Sequence, residues 1–251
     1  MNEDNMNNTN ETWEITTFEG RKIVMRSLVG SRSANLNTPE SDEDYKYFVA
    51  PTFDDLYTGK MFATSSVTPT LDYDVHDIRQ LANLLWKANL NFIGALMTID
   101  FIVDDLLFIR DNADALASMN MPYLYNSTMG MHFEKMSKLE KGTGNTQILV
   151  DTFGYDTKQA CHAMRCLFVL HRIANSKTVR ETLWFEDGNN RDMLMGIKAG
   201  NLTLVEFEEY VALWRAIHDK SVKEWFAEQK ANEYLKNWLD EKIKEFIRAN
   251  I

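Results

Sequence analysis

This chain is poor in the residues that interrupt or cross-link a fold. Of its 251 residues only four are proline and two are cysteine. The cysteines, Cys161 and Cys166, lie five apart with no second pair, a pattern that suggests neither a disulfide framework nor a zinc knuckle. Two buried thiols in a reducing compartment is the expectation. Long apolar runs are also missing: none reaches the roughly 18 residues that span a bilayer, and the Asn-rich start has no signal-peptide core. A cytoplasmic protein with no membrane role is therefore expected. Basic charge is scarce, with 27 Lys and Arg against 37 Asp and Glu, a net charge of −10. Such a chain lacks the broad basic footprint of non-specific nucleic-acid binding. An RNA bound here would need a local basic site, or would enter a cleft by a short end.

Hydrophobic residues make up 45% and charged residues 25%, ordinary for a globular protein long enough for one large domain or two smaller ones. Residues 1–12 show no periodicity and read as a disordered tail. Strand patterns dominate up to His76 and helical patterns follow from Asp77, so the expected class is α+β, a small mixed sheet within a core at 13–92 followed by a mostly helical part at 93–251.

The most informative stretch is Gly30 to Asp44. The near-continuous apolar run Ile23 to Val29 has the composition of a buried strand and ends in Gly30-Ser31. A glycine there lets the backbone turn sharply beside a ligand, with Ser31 placed to donate to a phosphate oxygen and Arg32 following. Ser33 to Asn37 reads as a short helix whose first amides complete that cradle. Ten residues beyond Ser31 come Asp42 and Asp44, opening a second strand over Glu43 to Val49. Residues i and i+2 of a strand face the same way, so the two carboxylates project together. Paired carboxylates beside a phosphate-cradling turn suit Mg²⁺, a hard cation that takes oxygen ligands and accompanies substrate phosphates. The plainer alternative is a solvated acidic turn.

A third strand, Thr70 to His76, alternates with period two and puts Thr70, Asp72, Asp74 and His76 on one face. Farther on, Asp156 has the chemistry of an N-cap, and Lys158, His162, Arg165 and Arg172 follow on one narrow stripe. Ala160, Ala163, Met164, Leu167 and Leu170 cover the opposite side. A solvated basic face is the ordinary origin of such a stripe. Lys198 is a lesser candidate of the same kind. The remaining helices are expected at about 100–118, 121–140, 177–185, 190–199, 203–229 and 231–249, and Lys141 to Asn145 as a flexible connector.

Gly-Ser, a spacer of ten, then Asp-x-Asp resembles the signature of the DNA polymerase β-like nucleotidyltransferase superfamily. Within it, Gly30 to Asp44 looks most like the predicted nucleotidyltransferases found beside RNA ligases in bacterial and phage RNA-repair neighbourhoods. The block Gly154-Tyr155-Asp156-Thr157-Lys158, with His162 and Arg165, is similar to a second element of that group. The resemblance implies a nucleotidyltransferase core at 13–92 and transfer of a nucleoside monophosphate from an NTP to an acceptor, with Mg²⁺ or Mn²⁺ held by Asp42, Asp44 and a third carboxylate. Asp74 is the candidate for the third, with Asp72 as the alternative. It further implies that Gly30, Ser31, Arg32, Lys158, His162 and Arg165 meet phosphate, and that the acceptor is an RNA end, possibly tRNA. Leu90 and Gly94 stand where related sequences have Asn-Pro-Asn and then Glu, so any acceptor-side role of that Glu is absent here. Acceptors of another class, a protein side chain or a small molecule, and a non-catalytic interaction protein on the same fold are the alternative readings.

Overall fold

The computed structural model describes residues 15–68, 71–142, 144, 146–176 and 178–250. The tail expected at 1–12, with Trp13 and Thr70, lies outside them. Among the described residues six strands form one mixed sheet: β1 (Thr17–Phe18), β2 (Arg21–Val29), β3 (Glu43–Val49), β4 (Ala63–Val67), β5 (Leu71–Asp77) and β6 (Ile99–Ile102), in the order β1-β2-β3-β5-β4 with β6 also on β2. Among the described residues only β3 and β5 run parallel, with Asp44 opposite Asp72 and Lys46 opposite Asp74.

Alternation along β3 divides the two faces. Tyr45, Tyr47 and Val49 join Ile23, Phe62 and Val75 in a small cluster on one side. Phe48, with Val24 and Met25 of β2, enters a much larger core that continues through the helices to Ile247. Asp44 and Lys46 share the face of Phe48, and so lie on the helical side. Residues on both sides of position 92 contribute to this one cluster.

The helices at Met121–Met136, Thr157–Asn175, Asn189–Lys198 and Glu233–Asn250 follow the expected periodicity. The expected 203–229 segment contains a π-helical turn at His218–Val222 between Leu204–Ile217 and Lys223–Glu228. Residues 100–118 depart from the expected single helix. Ile99–Ile102 is the strand β6, held on β2 by the ladder and by an Arg26–Asp100 ion pair at 2.9 Å, and only Leu107–Asp111 and Ala113–Ala117 are α-helical. Ile99, Ile102 and Val103 are β-branched, and the partner strand decides in favour of that local preference. Of the expected 177–185 segment, the described residues 178–185 are helical at Arg180–Leu183 alone. Among the described residues no helix is long and apolar enough to cross a membrane. Cys161 and Cys166 are free and buried, as expected, and burial pushes their thiols up to about 11 and about 12.

Candidate active site

The turn after β2 is shaped by contact with the carboxylate that follows it. Gly30 has φ +71°, and a Cβ placed on it would lie 1.8 Å from Asp44 Oδ2. Glycine therefore supplies both the left-handed backbone and the room for Asp44 to sit against the turn. Gly30→Ala should cost at least the ~1–2 kcal/mol of left-handed strain and push Asp44 out of register. Denaturant melts with a divalent-cation titration would register both effects; unaltered cation binding would count against the contact.

Ser31 opens a short 3-10 turn at Arg32–Ala34, not the longer helix expected to Asn37, because Asn35 turns left-handed at φ +59°. Arg32 does not reach toward the cleft as expected. Its guanidinium donates to the carbonyls of Ser41 at 2.6 Å and Asp42 at 3.1 Å, fixing the loop that presents Asp42. The C-terminal helices grip the same loop: Arg191 donates to Asn35 O, Lys198 Nζ to Leu36 O, both at 2.8 Å, and Asn35 Nδ2 to Phe185 O.

Asp42, Asp44 and Asp72 each place a carboxylate oxygen within 4.8 Å of the others. The third member is thus Asp72 and not Asp74, whose carboxylate is 2.6 Å from the Lys46 ammonium one register step along. Lys46 also lies 4.9 Å from the Phe92 ring centre. Burial, then the charges of Asp42 and Asp72, raise the Asp44 carboxyl above its ordinary value, while Lys158 and Lys46 oppose the shift. Three partly buried carboxylates that converge in this way have the oxygen chemistry of a hard divalent cation. His76, beside this ladder, is packed between Phe48 and Phe92, and burial lowers its pKa.

The second block launches the opposing wall. Gly154 caps helix Gln147–Phe153 at φ +82°, Tyr155 is buried with its hydroxyl on Leu202 O, and Asp156 caps the next helix by accepting from Gln159 N. Lys158, His162 and Arg165 of that helix line one cavity of about 410 Å³ with Gly30, Ser31, Asp42 and Asp44, and Lys198 joins them. Arg172, on the same stripe, turns away and donates to the carbonyls of Glu181 and Trp184.

Arg165 makes no hydrogen bond or ion pair among the described residues, and its Nε is buried. Burial lowers its pKa, but an arginine keeps its charge. Burial, with Arg165 and the nearby lysines, pushes His162 down to about 3. It is therefore a neutral imidazole in the free protein, not part of a cationic wall; the cations are Lys158, Arg165 and Lys198.

Two histidines from other helices steady this wall. Arg215 Nε donates to His132 Nε2, so His132 Nδ1 carries the proton and donates to Ala163 O; His218 Nε2 donates to Leu167 O. Burial pushes both down to about 4. A depressed histidine contributes stability that is full above its unfolded value near 6.5 and is lost as pH falls through the folded value. Urea midpoints should therefore drop steeply between about pH 6.5 and 4, and a flat profile would contradict the assignment. No protein-family model and no curated protein matches the chain.

Proposed function

We propose that this protein is a metal-dependent nucleotidyltransferase that moves a nucleoside monophosphate from an NTP to an acceptor and releases pyrophosphate. The observation that carries this reading is convergence. The glycine-serine turn, the Asp42-Asp44-Asp72 cluster and the Lys158-Arg165 wall come from distant parts of the chain, and the turn, Asp42, Asp44 and the wall line one cavity.

In this reading the carboxylates would hold Mg²⁺ or Mn²⁺, which neutralises charge on the reacting phosphate and the attacking oxygen. Gly30 and Ser31 offer backbone and hydroxyl donors to the outgoing phosphates. Arg165, with its guanidinium unengaged, suits two-pronged phosphate contact. Lys158 adds charge from the rim. Lys198 contributes mainly by holding the Leu36 carbonyl. No covalent enzyme intermediate is required, because positioning and charge neutralisation supply most of the catalysis.

The acceptor we favour is an RNA end, on the resemblance of both sequence blocks to RNA-repair nucleotidyltransferases. A net charge of −10 restricts it to a short end entering the cleft and not a long duplex lying on the surface. The unpaired thiols fit a reducing compartment, and we place the activity in the cytoplasm. Incubation with each α-labelled NTP, Mg²⁺ or Mn²⁺, and total cellular RNA and protein tests the reading. Labelled product sensitive to ribonuclease is expected. Product that resists ribonuclease and yields to protease would reassign the acceptor, and absence of any α-label transfer would overturn the proposal.

A further inference from the structure

His132 and His218 are accounted for by the carbonyls they hold; His162 is not. It lies between Lys158 and Arg165 on the cavity wall and makes no hydrogen bond among the described residues. The groups around it come from three helices and the loop opposite. Lys158 and Arg165 share its helix, Lys135 reaches from Met121–Met136, and Lys198 from Asn189–Lys198. Across the cavity stand Glu40, Asp42 and Asp44, with the Cys161 thiol beside it. A neutral imidazole with both ring nitrogens unengaged, set among four cations, has no structural partner to satisfy. A polyphosphate arriving on Lys158 and Arg165 would reverse the sign of the local field, and an anion at hydrogen-bond distance favours the charged ring.

We propose that His162 takes up one proton when a polyphosphate enters this cavity and passes it to the pyrophosphate that leaves. The inference rests on the nucleotidyl-transfer reading and assigns the acid of that reaction. In the step, an oxygen of the acceptor hydroxyl forms a bond to the α-phosphorus while its proton leaves to solvent. The bond from the α-phosphorus to the bridging oxygen breaks, its electron pair stays on that oxygen, and the imidazolium N–H protonates it. His162 returns to the neutral form, and the proton count balances with the one taken up on binding.

Calorimetry of Mg²⁺-tripolyphosphate binding at one pH, in buffers of different ionisation enthalpy, counts the protons taken up. Wild type is expected to take up about one proton more than His162→Gln, and the imidazole resonances of His162 should move to the protonated position on saturation. The same substitution should lower transfer about a hundredfold and weaken tripolyphosphate binding at least about tenfold, because proton uptake on binding means that the anion favours the charged ring. Binding with equal proton uptake in wild type and His162→Gln, or with the His162 resonances unmoved, overturns this inference and leaves the nucleotidyl-transfer reading standing. Absence of polyphosphate binding would overturn both.

Discussion

Asp72→Asn should lower nucleotidyl transfer about a hundred- to a thousandfold, whereas Asp74→Asn should lower it by about tenfold or less. Both carboxylates lie on the same face of β5, so periodicity gives each an equal claim. The parallel register separates them. Asp72 stands opposite Asp44 and completes the cluster, while Asp74 stands opposite Lys46 and pairs with its ammonium. Removing the Asp74 charge frees Lys46 to turn toward Asp44, which it already attracts. That should weaken divalent-cation binding modestly without removing a ligand. Asp72→Asn removes a ligand and also relieves like-charge repulsion, so the metal-free variant should be at least as stable as wild type. Steady-state transfer rates and metal-free thermal melts for the two variants check this pair of expectations. Equal losses of activity would return Asp74 to the site.

The second large effect is at Arg165. Arg165 Nε is buried without a partner, which lowers the stability of the free protein, and a ligand that pairs with the guanidinium explains why it is there. Arg165→Met should therefore stabilise the free protein while weakening nucleotide binding at least about tenfold, the pattern of a functional residue kept at a cost in stability. Arg165→Lys keeps the charge but loses the planar fork, and a lysine buried there would also give up its proton more readily. It should recover little of the lost binding. Lys158→Ala, at an exposed position on the rim, should have a smaller effect. Calorimetric titration with Mg²⁺-NTP, paired with denaturant melts, separates the two consequences. An Arg165→Met protein that binds nucleotide normally would remove this helix from the site.

Much of the site was legible because its parts obey short-range rules. The Gly-Ser turn, Asp-x-Asp on a strand start, the Asp156 cap and the helical spacing of Lys158, His162 and Arg165 all follow from local geometry. What was not legible depends on partners distant in the chain. Parallel pairing of β3 with β5 selects Asp72, and nothing within residues 70–76 encodes that pairing. Arg32 reads as a phosphate ligand until the loop folds back and gives it the Ser41 and Asp42 carbonyls. His162 reads as a cation until burial, with the charges of its own helix and of two neighbouring helices, keeps it neutral. The strand β6 had local signals in Ile99, Ile102 and Val103, but its four-residue length made them easy to absorb into the helical pattern that follows.

The central claim is that the carboxylate cluster and the cationic wall form one metal-dependent nucleotide site. The most direct measurement is NTP binding by calorimetry, with and without Mg²⁺, to wild type and to the Asp42→Asn, Asp44→Asn double variant, each shown by circular dichroism to be folded. The account predicts strong binding by wild type only when Mg²⁺ is present, and loss of that Mg²⁺-dependent component in the folded double variant. Equal NTP binding by both proteins, indifferent to Mg²⁺, would contradict it.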